Sequence, residues 1–243
     1  MLFGFALVLT RISAFFVVLP VFGWTVIPVR IKAAATILLS FFFYVIAPPA
    51  NLGHPSTLTI LLLLGGEVIY GGALGLIIAL LFSVVRLSGY IIEEQMGLTM
   101  AEILDPLTEN ESGPFASLME MVFVLLFLSA NGHHLFLLVL SRSYDAFPAG
   151  TMPTIGLLTS GVISTGAAMF IAGLRLAAPM LAAFLVLMVA LALLARLVPE
   201  MNILFVSMPV RIALGIFLTA MFLPFINSFV TEMADWMTKL LPL

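Results

Sequence analysis

Cysteine is absent from this 243-residue chain, so disulfides, thiolate metal sites and cysteine nucleophiles are excluded together. Charge is almost as scarce. Asp, Glu, Lys and Arg make up 9% of the residues, where a soluble domain carries about 25%. The net charge of −3 is small and the basic residues are scattered, which gives nucleic acid no surface to bind. There is no G-x-x-x-x-G-K-[ST], G-x-S-x-G, H-E-x-x-H or G-x-G-x-x-G pattern, and nothing supports catalysis or a cofactor. No basic stretch precedes the apolar start Leu2-Phe3-Gly4-Phe5, so the first run is expected to stay as a membrane helix instead of leaving as a signal peptide. Apolar residues are abundant instead: 63% of the chain is hydrophobic and the mean hydropathy is +1.27. These values describe an all-α integral membrane-type protein.

Crossing a hydrocarbon core of about 30 Å takes roughly 20 apolar residues. Candidate runs cover about Leu2 to Gly23, the shorter Ala33 to Ala47, Thr57 to Val85, Glu120 to Leu140 with a break at Asn131-Gly132, Thr154 to Leu197, and Ile212 to about Phe229. From Thr154 to Leu197 a single helix would extend roughly 60 Å, so this run is either a tight hairpin or one long helix kinked near Pro179. About six to eight helices are expected, arranged as long, kinked hairpins in a single domain over residues 1–243. Arg30 and Lys32, Arg86, Arg196 and Arg211 mark basic loops, which the positive-inside rule places in the cytoplasm.

Arg86 to Glu111 departs from the apolar pattern. One basic residue stands against Glu93, Glu94, Glu102, Asp105, Glu109 and Glu111. Leu87 to Leu104 reads as a separate helix of mixed polarity, ended by Asp105-Pro106 because the residue before proline is pushed out of the α region. Ser112-Gly113-Pro114 closes the loop that follows.

Few side chains could carry chemistry. His133-His134 is the one histidine pair; neighbours on a helix point about 100° apart, so capping or packing near the Asn131-Gly132 break is expected over metal binding. Glu67 lies inside an apolar run, where a stranded charge costs at least a few kcal/mol. No second charge stands at helical spacing from it, so a packing role beside Gly66 is favoured over a proton relay. Gly71 and Gly75 form a small-xxx-small pair suited to close helix approach, and Ser160, Ser164, Ala168 and Ala172 form another stripe. Met96 and Met100, four residues apart, are flexible thioethers that read chiefly as packing residues.

The block Gln95-Met96-Gly97-Leu98, followed by Asp105-Pro106, resembles the FliR/SctT family of type III export-gate subunits. Pro20-Val21-Phe22 with Ile27-Pro28-Val29-Arg30 looks like the family's early segment. Phe127-Leu128, Asn131-Gly132-His133 and Pro148-Ala149-Gly150 follow the block in the expected order, and Pro199-Glu200-Met201-Asn202 is the recognisable motif of the C-terminal half. The resemblance implies a core subunit of the flagellar gate at the basal body in the bacterial inner membrane. It implies assembly with FliP and FliQ, contact with an FlhB-type subunit, and passage of unfolded exported proteins, with membrane lipid as a further neighbour. It also implies that Leu107, Thr108, Glu109, Asn110, Glu111, Ser112, Gly113, Pro114 and Phe115 form a channel plug. Gln95, Met96, Gly97, Leu98, Met100, Asp105 and Pro106 would then lie near the pore. Irregular backbone of this kind is tolerated at membrane depth only inside protein or a wet cavity.

Three other readings compete. The equivalent subunit of a virulence injectisome shares fold and mechanism. A small-molecule or ion transporter predicts paired, repeat-related carboxylates, whereas Glu67 stands alone. A purely structural scaffold predicts that the loop can be deleted without effect.

Overall fold

The computed structural model describes residues 2–20, 27–47, 56–99, 113–151, 154–200 and 202–240. Every regular element among them is an α-helix: α1 Leu2–Val18, α2 Val29–Ile46, α3 Thr57–Met96, α4 Pro114–Ser129, α5 His133–Ala146, α6 Ile155–Leu197 and α7 Ile203–Leu240. Side chains in α7 are described to Phe222, except at Leu204, and again at Phe229. Four segments, in α2, α3, α6 and α7, are long and apolar enough to cross a membrane, and α4 with α5 makes a fifth only as one bent span.

The helix ends follow local chemistry. Pro28 precedes α2 with φ −56°, and its carbonyl accepts from Ile31 N–H at 2.9 Å. Ser56 opens α3, its Oγ accepting from Thr59 N–H at 3.3 Å, the usual N-cap contact. Pro114 stands first in α4, where its missing N–H costs no intrahelical bond. Between α4 and α5 the helical ladder stops at Asn131, whose φ is +59°, a value that asparagine tolerates better than most residues.

Several expected boundaries are corrected. Arg30 and Lys32 lie in the first turn of α2 and Arg86 lies inside α3, so these residues do not mark basic loops. Arg211 likewise sits within α7. Thr57 to Val85 and the first part of the mixed-polarity segment, Leu87 to Met96, are one 40-residue helix, because nothing between Val85 and Leu87 breaks the ladder. The alternatives for the Thr154–Leu197 run resolve to one 43-residue helix with Pro179 inside it. At about 1.5 Å per residue α3 and α6 each measure roughly 60 Å or more, twice a bilayer core.

The described residues cluster into two compact units. One is drawn from Met1–Phe82, Leu128–Ala167 and Glu232–Leu243, the other from Ser83–Phe127 and Ala168–Thr231. In the first, α1 packs on α2 and buries Leu7, Val8, Ile12, Phe15 and Phe16. Phe5 meets Tyr44 edge-on with ring centroids 6.0 Å apart. In the second, Phe123 stacks near Phe127 and Phe229, at 6.4 and 6.1 Å. Along α6 the buried positions include Leu158, Gly161, Thr165, Ala172, Ala177 and Met180, while Ser160 and Ser164 are exposed. The Ser160–Ala172 stripe is thus exposed within this chain at Ser160 and Ser164 and buried at Ala172.

Candidate functional site

The first unit is built around one buried charge. Arg11 comes from the middle of α1 and is fully buried, and Glu67 on α3 is 2% exposed. Arg11 Nε donates to Glu67 Oε2 at 2.6 Å and Nη2 to Oε1 at 3.1 Å, a two-point contact of the kind guanidinium geometry favours. Arg11 Nη1 donates to the carbonyls of Ser143 at 3.2 Å and Phe147 at 2.8 Å. Gly150 N–H donates to Glu67 Oε1 at 2.7 Å. The guanidinium carbon also lies 4.7 Å from the Tyr70 ring centre and 4.4 Å from that of Tyr144, within the range of cation–π attraction. This node joins α1, α3, the end of α5 and the turn at Pro148-Ala149-Gly150. Both carboxylate oxygens of Glu67 are engaged within this node.

Gly71 and Gly75 explain how the charges come within reach. A Cβ on Gly71 would overlap the Arg11 carbonyl, and one on Gly75 would stand 2.8 Å from the Phe15 carbonyl oxygen. The two glycines, one turn apart, let α3 lie directly on the α1 backbone. Gly66 is buried on the same helix.

In the second unit, α3 ends within the Gln95-Met96-Gly97-Leu98 block and not at Asp105-Pro106. Gly97 adopts φ +79°; its N–H donates to Glu94 O at 3.1 Å and Leu98 N–H to Glu93 O at 3.3 Å. This pair of bonds is the Schellman stop, which needs a residue tolerant of the left-handed region at that position. Met96 is buried against Gly215 of α7, where a Cβ would stand 2.6 Å from the Met96 sulfur. Gln95, Gly97 and Leu98 are half-buried. Gly113 is buried and directly precedes α4, so Pro114 and Phe115 are helical and the loop closes one residue earlier than expected. Met100, Asp105, Pro106 and Leu107 to Ser112 lie outside the described residues.

At the α4–α5 break Gly132 is buried while Asn131, His133 and His134 are exposed. The imidazole centres of His133 and His134 are 4.3 Å apart, yet no third ligand joins them: the described residues hold no cluster of three His, Asp or Glu.

Long apolar helices and an ion pair buried among them together define a helical membrane-type protein. Residues 2–237 match the family described as bacterial export proteins, family 1, and the chain belongs to that family. Among its relatives, flagellar biosynthetic protein FliR of Escherichia coli (strain K12) is 32% identical over 223 residues, covering 91% of this chain and 84% of that protein. FliR of Bacillus subtilis (strain 168) is 32% identical over 219 residues, covering 87% and 83%. Yop proteins translocation protein T of Yersinia pestis is 27% identical over 221 residues, covering 88% and 83%.

Proposed function

We propose that this chain is a core subunit of the flagellar type III protein-export gate, lining and plugging the channel through which unfolded flagellar proteins leave. The observation that carries the reading is membership of the export family over residues 2–237. FliR relatives span 26–32% identity and Yop proteins translocation protein T stands at 27%; the upper end of the flagellar range supports the flagellar machine over the injectisome. Helix geometry supports assembly with other subunits. Helices of roughly 60 Å cannot lie wholly in a hydrocarbon core of about 30 Å, yet α6 exposes Ile163, Phe170, Ile171, Leu185, Val186 and Leu193 along its length. Neither water nor lipid can cover all of that surface, whereas partner subunits of the FliP, FliQ and FlhB kinds can.

In this reading the chain acts as one export-gate domain of the bacterial inner membrane at the basal body. Leu107 to Ser112 plug the channel, with Gly113 and the helical Pro114 and Phe115 forming its foot on α4. Gln95 to Leu98 with Met100, Asp105 and Pro106 stand near the pore, and Gly66, Glu67, Gly71, Gly75 and the Asn131-Gly132-His133 break serve packing. Gating displaces an ordered plug under the influence of substrate and partner contacts; no covalent step is involved.

The decisive experiment is co-expression with FliP and FliQ of the same organism, weighed by native mass spectrometry, with and without deletion of Thr108 to Ser112. A mixed assembly that survives the deletion but then leaks ions or mis-exports supports the plug. Unchanged conductance and secretion would sink it, and a lone chain would return the transporter reading to the front.

A further inference from the structure

Glu93 is fully buried in the last turns of α3, and its side chain has no part in the contacts so far assigned a role. Its main-chain carbonyl accepts the Leu98 N–H at 3.3 Å, the outer bond of the cap that stops α3. Its side chain reaches in the other direction. Oε2 accepts the N–H of Ala116 at 3.0 Å; Ala116 is the third residue of α4, among the N–H groups that a helix start leaves without an intrahelical acceptor. A carboxylate at that point also meets the positive end of the helix dipole. Gly113, immediately before α4, lies so close that a Cβ there would overlap the Glu93 carboxyl carbon and both its oxygens. Oε1 is buried and has no partner among the described residues.

One residue therefore closes the last turn before the α3–α4 loop and the first turn after it. We propose that Glu93 is the positioning residue of this loop, a clasp that ties its two feet together and thereby fixes where the loop is presented. Helix stop, carboxylate and glycine act as one device. The Schellman bonds hold the Glu93 main chain, its side chain holds α4, and the absence of a side chain at Gly113 makes room for the carboxylate. Holding the end of α3 against the start of α4 fixes the separation of the two feet, so release at one foot frees the other. The inference rests on the plug reading only for its conductance measurement.

The test uses the full chain co-assembled with its partners, comparing the parent with Glu93→Ala, Glu93→Gln, Gly113→Ala and the Thr108–Ser112 deletion. Hydrogen–deuterium exchange is followed at residues 97–98, 115–117 and 119–127, and ion conductance is measured in liposomes. Glu93→Ala is expected to speed exchange about tenfold, the size of a lost helix cap, at both feet together. The 119–127 segment stays unchanged and conductance rises as in the deletion. Gly113→Ala displaces the carboxylate without removing it and should give the same pattern. Glu93→Gln keeps an acceptor and should change less.

Faster exchange confined to 115–117, with no added conductance while the deletion leaks, makes Glu93 a simple cap and overturns the clasp while leaving the plug standing. If neither variant nor deletion leaks, the plug reading fails, and exchange alone decides the clasp: joint loss at both feet upholds it, and any other pattern overturns it. If Glu93→Ala does not assemble, Gly113→Ala and Glu93→Gln decide on the same two measurements.

Discussion

Replacing Glu67 by alanine takes away the one counter-charge that Arg11 has among the described residues. The guanidinium keeps its bonds to the Ser143 and Phe147 carbonyls and its two aromatic faces, but it remains charged and fully buried. Gly150 N–H loses its acceptor at the same time. Breaking a buried pair by removing one partner costs about 3–5 kcal/mol. For a chain of this size that corresponds to a fall of about 6–20 °C in the temperature of half-unfolding, read by circular dichroism on the detergent-extracted protein. The double variant Arg11→Met with Glu67→Gln provides the control. It removes the charge with the partner, keeps an acceptor for Gly150, and leaves Ser143 O its bond from Phe147 N–H at 3.0 Å. Since removing both members of a buried pair is often near neutral, the double variant should recover most of the loss. A Glu67→Ala protein melting within 2 °C of the parent (roughly the effect of 1 kcal/mol or less), or a double variant less stable than the single, would refute the view that this pair is held by mutual neutralisation.

Two further outcomes follow from packing. Gly75→Val should destabilise by more than about 2 kcal/mol in the same melting assay, because its branched side chain must push against the Phe15 carbonyl and the Val18 side chain, whereas small-to-large changes in a close contact cost about 1–3 kcal/mol or more. Met96→Ala should cost about 2–5 kcal/mol, since Met96 fills buried space over Gly215; a variant unchanged in stability would place Met96 outside the core and leave it available to a channel.

How much of this could be read in the residues varied with the physics involved. The number and kind of helices were readable, because a stretch of about 20 apolar residues has few structural options. So was the break at Asn131-Gly132. The buried face of α6 was not: where lipid or another subunit covers the outside, apolar residues surround the helix and the periodicity that marks a core-facing stripe fades. Ser160 and Ser164 are exposed within the chain, and their spacing alone could not say whether this chain or another subunit covers them. Glu67 seemed alone because charge partners were sought along its own helix, whereas Arg11 is 56 residues away in the chain and arrives through the Gly71–Gly75 approach. The end of α3 was available from Gly97, a helix-stop residue just after the acidic pair Glu93-Glu94, but the stronger breaker Asp105-Pro106 drew the boundary onward. Glu93 could not have been assigned as a cap, since nothing in sequence brings it beside Ala116.

The position of Arg11 has a consequence for how the chain is made. Synthesis proceeds at about 5–20 residues per second, so the 56 residues separating Arg11 from Glu67 take about 3–11 s to emerge. Through that interval α1 carries a guanidinium with no carboxylate to meet it, and its 17 residues fall short of a comfortable hydrocarbon crossing. The first helix alone is therefore a poor membrane span, and the counter-charge and close packing it lacks arrive only with α3.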